Sequence, residues 1–249
     1  GAYGGLRASE VLGLTLADVI QTEAECWIGI RAGKTPAARR RIPLHWVAPP
    51  DQTAALRDWV TKRWAEFPVI NSPEQVALFG PRYQSAPYNR TALIDSLIQW
   101  IRQRVGEPVD FHLLRHTAAS WLFVRWYAYS VGDWGNTGSP PYGWALGPEG
   151  RQGAFELLQG SLADSWSEGA DAFLRLAKFM GHQGHDTLIR HYLHTLGWLH
   201  GRALAQGDRG ATAAAGTSGG FFRVPGIVGG AVQRTVGNPL PAQLGRGGL

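Results

Sequence analysis

Two short runs with strand-like character, Cys26-Trp27-Ile28-Gly29-Ile30 and Arg39-Arg40-Arg41-Ile42-Pro43-Leu44, flank the segment Ala32-Gly33-Lys34-Thr35-Pro36. Extended residues on either side of a Gly- and Pro-containing turn specify a β-hairpin, here with Lys34 near its tip. The other periodic stretches carry the helical repeat. A hairpin set among helices confines the chain to a mainly α architecture with a small antiparallel β-sheet, an α+β class.

The helices announce themselves by spacing and by their ends. Ser9 and Glu10 lead into Val11, Leu12, Leu14 and Leu16. Pro49 and Pro50 open a helix whose Leu56, Trp59, Val60 and Trp64 recur at three and four, and which ends before Pro68. Asn89 to Val105 places Leu93, Leu97, Ile98 and Ile101 on one face, and Asp110 is an N-cap for a helix through His112, Arg115 and Leu122. Between about Trp126 and Trp166 the pattern breaks into Gly-Asn-Thr-Gly-Ser-Pro-Pro-Tyr-Gly and then a short helix around Ala154 to Leu162. Connections this long and irregular are usually functional or mobile. Helical periodicity returns from Ala170 to Met180 and from Thr187 to about Leu204. Residues 207–249 turn to Gly, Ala, Thr and Ser without period, which predicts a flexible tail, with Phe221, Phe222 and Val224 as a short anchor.

A chain of 249 residues buries one full core with room for a small appendage. The net charge is +5 and the pI about 9.7, with much of the positive charge on arginine, so a polyanionic partner suits it. The single cysteine, Cys26, excludes a disulfide framework and a thiolate metal cluster and fits a reducing, cytoplasmic setting. No apolar run approaches the roughly 18 residues that span a bilayer, and no signal peptide is visible, so no membrane partner is expected.

Three separated segments concentrate unusual polar residues: Gly5-Leu6-Arg7-Ala8-Ser9-Glu10, His112-Leu113-Leu114-Arg115-His116-Thr117, and Gly181-His182 followed by Tyr192. Taken with Lys34 on the hairpin, they resemble the catalytic domain of tyrosine recombinases, the phage-integrase family. That family has an Arg in a Gly-Leu-Arg-x-Ser-Glu turn, a Lys on a β-hairpin, a His-x-x-Arg helix, a Gly-His pair and a Tyr some nine or ten residues beyond. Arg7, Lys34, His112, Arg115, His182 and Tyr192 fill those positions in order, and the resemblance covers roughly Tyr3 to Leu196 without the middle insertion.

The resemblance implies the tyrosine recombinase catalytic-domain fold over residues 1–206, with an insertion at about 126–166 that protrudes as a loop or subdomain. On this resemblance the N-terminal DNA-binding domains of full-length relatives are expected to be absent from this chain. It also implies cutting and rejoining of double-stranded DNA through a 3′-phosphotyrosine, by a homotetramer on two DNA sites. Arg7 and Arg115 would hold the non-bridging phosphate oxygens, and Tyr192 would attack phosphorus. His112 would handle its proton, His182 would hydrogen-bond the phosphate, and Lys34 would protonate the departing 5′-oxygen. Conservation of the bond energy in the covalent intermediate removes any need for ATP or metal. Glu10 and His116 read as supports. Within the insertion, Trp126, Tyr127, Tyr129, Trp134, Tyr142, Trp144 and Trp166 suggest a small aromatic core in preference to a binding surface.

Other readings remain open at this stage. A relaxing topoisomerase or a telomere resolvase would use similar residues, and an inactive DNA-binding module would keep the cations only to grip phosphate. The spacings His182-x-x-His185 and His191-x-x-His194, with Asp186, also admit a His/Asp metal-dependent phosphohydrolase, although the further ligands such an enzyme needs are not found.

Overall fold

The computed structural model describes residues 2–33, 36–69, 72–130, 143–159, 171–184, 186–188, 195 and 199. The expected tail and most of the helix from Thr187 lie outside these residues, although Leu188 and Leu199 are both buried in the main core.

After a short helix α1 (Ala8–Leu12), three strands β1 (Val19–Gln21), β2 (Cys26–Ile30) and β3 (Arg40–Pro43) form an antiparallel sheet in sequential order. The register sets Val19, Ile28 and Ile42 side by side, all buried, while Ile20 and Trp27 pair on the opposite face. The expected hairpin is present as β2 and β3. The third strand, β1, has only three residues, too few for an alternation to be read from sequence.

Helices α2 (Leu44–Val47) and α3 (Pro50–Ala65) follow. Val60 is buried and Leu56 and Trp59 half-buried as their spacing requires, but Trp64 is 37% exposed and Arg63 takes the inner position at 1%. The reason is the loop beneath it. Arg63 donates to the carbonyls of Ala77, Pro81 and Gln84, at 3.1, 2.9 and 2.5 Å, and to Glu66. Irregular backbone that is buried must find donors, and a guanidinium supplies several in one plane.

A π-helical turn over Thr91–Asp95 precedes α4 (Ser96–Val105), with the Ser96 hydroxyl donating to the Thr91 carbonyl at 3.0 Å. The wider turn shifts the phase of the helix. Ile94 and Ile98 therefore face inward onto Val109 and Phe111, and Leu97, expected on that face, is 41% exposed.

The central helix α5 (Phe111–Ser130) starts where expected, the Asp110 side chain accepting from Leu113 N at 2.7 Å. It runs past the expected break at Trp126 because Phe123, Val124, Trp126 and Ala128 are all buried. A helix apolar around most of its circumference belongs inside a core.

The described part of the insertion does not stand apart as expected. Its helices, α6 (Gly143–Leu146) and α7 (Pro148–Leu158), pack on α5 and α2, and Leu146, Ala154, Leu157 and Leu158 join the main core. The short helix begins before Ala154, with Pro148 in its first turn. Arg125 of α5 fastens it, donating to Gly150 O at 2.7 Å on α7 and to Trp46 O and Val47 O at 2.7 and 3.0 Å on α2. Nor do the aromatics among the described residues form a separate core. Trp126 packs on Phe123, Tyr129 on Phe155, and Trp144 lies against Tyr3 and under the Arg125 guanidinium. Trp134, Tyr142 and Trp166 lie outside the described residues. Helix α8 (Ala172–Phe179), capped by Asp171, leads into the described residues 180–184. No helix among the described residues is long and apolar enough to cross a membrane.

Candidate active site

Gly181 and His182 owe their place to the end of α8. Gly181 adopts φ 70°, its N–H bonds Lys178 O at 2.8 Å, and His182 N–H bonds Ala177 O at 2.8 Å. These are the two bonds of a Schellman motif, which needs a left-handed residue at the first position past the cap. The next residue, His182, is thereby aimed at a fixed point.

Three segments meet there through arginines. Arg115 of α5 donates from its two terminal nitrogens to the carbonyls of Gly5 and Met180, and is 0% exposed. Gly5 has φ 59°, and a Cβ there would come within 2.6 Å of the Met180 sulfur, so only glycine lets the first segment approach α8 this closely. Arg7, at the N-cap of α1, reaches toward Gly181 O at 3.5 Å and keeps 28% of its side chain exposed. His112 lies at the surface one turn before Arg115, edge-on to His116 with ring centroids 4.8 Å apart.

Glu10 anchors the positive side chains from behind. Its Oε1 accepts from Arg7 Nη1 at 2.7 Å and from Arg40 Nη1 at 3.0 Å, and its Oε2 from Arg7 N at 2.8 Å and Arg40 Nη2 at 2.9 Å. Burial alone would raise its pKa, but the bonds and charge of Arg40, then Arg7, hold it down to about 2. The carboxylate stays ionised at any working pH.

His182 moves the other way. Burial, then the charges of Arg115, Arg7, Arg40 and His112, holds it down to about 4. Burial and Arg115 also lower His112, opposed by Asp110 and reinforced by Arg7. Both imidazoles are therefore neutral near pH 7, able to accept a proton or to donate an N–H bond.

An open groove of about 1030 Å³ runs beside His182, lined by Arg39, Arg40, Arg41, Lys178, Trp27 and Ile20 among others. Its acid, Glu25, accepts a hydrogen bond from Trp27 Nε1 at 3.0 Å. A cationic groove with an aromatic side chain offers a path for a phosphate backbone.

Of the six residues singled out from the sequence, the structure brings together Arg7, His112, Arg115 and His182. Lys34 and Tyr192 lie outside the described residues, as do His185, His191 and His194 of the metal reading. Among the described residues no three His, Cys, Asp or Glu side chains are grouped to hold a metal ion. Arg40 went unremarked in the sequence. Its signal was the strand alternation, which turns it to the Ile30 and Ile42 face while Arg39 and Arg41 point outward.

Residues 2–126 match the phage integrase family, a segment that contains Arg7, Lys34, His112 and Arg115 but ends before His182 and Tyr192. No curated protein and no solved structure matches the chain.

Proposed function

The chain belongs to the phage integrase family, and on that premise we propose that it is a site-specific recombinase that cuts and rejoins DNA strands through a 3′-phosphotyrosine. The observation that carries this reading is the convergence of Arg7, Arg115, His112 and His182 from three distant segments around one cationic point.

In the proposed reaction the Tyr192 hydroxyl attacks the phosphorus of a DNA phosphodiester. The P–O bond to tyrosine forms as the bond to the 5′-oxygen breaks. Neutral His112 takes the phenolic proton, and Lys34 gives one to the departing 5′-oxygen. Arg7, the partly exposed arginine, meets the non-bridging oxygens directly. Arg115 lies beneath and adds fixed positive charge where water is excluded, reaching an oxygen by exchanging one backbone carbonyl for it. His182, uncharged at rest, donates an N–H bond to the same phosphate, and the anion's arrival raises its proton affinity.

Return of the 5′-hydroxyl onto the phosphotyrosine rejoins the strand without ATP or metal, because the bond energy is kept. Exchange between two DNA sites needs four such active sites, hence a homotetramer. The cationic groove beside His182 supports DNA as the partner.

A nicked duplex that loses the short fragment after cleavage traps the covalent adduct. The full chain should form a protein–DNA adduct that Tyr192→Phe abolishes while DNA binding persists. Binding without any adduct from the unaltered chain would assign it instead as an inactive DNA-binding module.

A further inference from the structure

We propose that Arg40 is a positioning residue for DNA cleavage: by binding the Glu10 carboxylate with both terminal nitrogens, it orients Arg7 and leaves the Arg7 charge available to the phosphate. The inference rests on the functional reading above and assigns a residue that the six matched motif positions do not include.

The geometry is a shared carboxylate. Each Glu10 oxygen carries one bond from Arg7 and one from Arg40, at distances between 2.7 and 3.0 Å. Four bonds in two directions leave the carboxylate no rotation, so the plane set by Arg40 dictates where the Arg7 guanidinium points. The side chains of Arg40 and Glu10 are 4% and 2% exposed, against 28% for Arg7. The fixed half of the arrangement is buried and the working half is open.

Charge explains why a second arginine is present. An Arg7–Glu10 pair by itself is neutral and would present little field to a phosphate. With Arg40 the trio carries one net positive charge, and the exposed member is Arg7. Arg40 borders the groove beside His182, but its side chain is only 4% exposed and both terminal nitrogens are engaged by Glu10. Its Nη1 also donates to Ala38 O at 2.8 Å, and a Cβ on Gly181 would lie 2.9 Å from that nitrogen, so the guanidinium is enclosed on that side by the turn that carries His182. The other charged groups in the cleft beside Glu10 are Asp18, Arg31 and Glu74, and Arg31 is occupied with Asp18 at 2.6 Å.

The test compares two scissile linkages. A pool of nicked duplexes with a randomised segment is offered to the full unaltered chain, and the sequence captured covalently becomes the substrate. It is then made with an ordinary phosphodiester or with a methylphosphonate, whose missing negative charge removes the need for Arg7. At saturating DNA, Arg40→Gln should slow strand cleavage of the phosphodiester by about a hundred-fold, the usual effect of losing one oriented donor to a transition-state oxyanion. On the methylphosphonate the loss should shrink to about ten-fold or less. Arg40→Lys, which keeps the charge without the fork, should fall between.

Adding Glu10→Gln to Arg40→Gln removes the carboxylate that would otherwise neutralise Arg7. The double variant should regain about ten-fold in rate, and it buries no unpaired charge, so it serves if the single variant does not fold. Equal slowing on both linkages, loss of DNA binding alone, or no recovery in the double variant would overturn the role given to Arg40. Failure of the unaltered chain to capture any duplex overturns the functional reading, and this inference with it.

Discussion

Arg115 donates a hydrogen bond to the carbonyl of Gly5, a residue 110 positions earlier in the chain, and its other terminal nitrogen donates to Met180. One buried guanidinium thus ties the N-terminal turn to the end of α8. Its planar fork fits two carbonyls at once, and an ammonium does not. Arg115→Lys should leave one of these buried carbonyls without a donor and lower the unfolding free energy by about 1–3 kcal/mol, measured by urea denaturation. Strand cleavage should fall further than the unfolded fraction accounts for, because His182 and Arg7 lose their common support.

The low proton affinity of His182 predicts a pH dependence with a definite sign. Its folded value of about 4 lies below the ordinary 6.5, so below 6.5 the unfolded chain binds the proton that the folded chain refuses. Stability is then fully present above about pH 6.5 and declines as pH falls toward 4. Glu10, held at about 2 against an ordinary 4.5, adds a second loss below pH 4.5. Thermal unfolding followed across pH should show both windows. His182→Gln should shrink the upper one, to which the lowered His112 also contributes, and leave the lower in place.

Arg125 is buried with no carboxylate paired to it among the described residues, bonding three backbone carbonyls, and burial pushes it down to about 9. Arg125→Met removes the cost of burying charge but leaves Trp46, Val47 and Gly150 carbonyls bare. The second effect should win, with a net loss of about 2–4 kcal/mol. Limited proteolysis should then cut first around α7, the element that Arg125 fastens.

The groove beside His182 predicts how DNA binding responds to salt. Arg39 and Arg41 are exposed along it. If each neutralises one phosphate, Arg39→Gln and Arg41→Gln should each reduce the slope of log K against log salt by about 0.9. Fluorescence anisotropy with any duplex would read this, since phosphate contacts carry no sequence information. An unchanged slope would remove the groove from the DNA path.

Much of the site could be read from short stretches because its parts are local devices. Gly181-His182 was legible as a motif pair of the family the chain resembles, and its place is local too, because a helix that ends in a Schellman motif needs glycine where it turns left-handed. Asp110 is legible as an N-cap for the same kind of reason. On α4 the inward places of Leu93, Ile98 and Ile101 were legible too, but a single π turn at Thr91–Asp95 brings Ile94 beside them and leaves Leu97 exposed without altering the apolar count. The insertion misled for a different reason. Long irregular sequence suggests protrusion, yet α7 docks on α5 and α2 through a buried arginine whose partners are backbone carbonyls, and carbonyls leave no mark in a sequence.

By itself, then, the sequence determined the α+β class, the hairpin, the caps and the motif residues of the phage integrase family, since these depend on neighbours within a few positions. Only the tertiary structure decided that Arg40, Arg63 and Arg125 turn inward, that Glu10 is shared by two arginines, and that His182 is neutral. Those properties follow from desolvation and from hydrogen bonds between residues as far apart as Arg7 and Gly181. An arginine has the same letter whether it faces water or a buried carbonyl, and the difference is made by what folds over it.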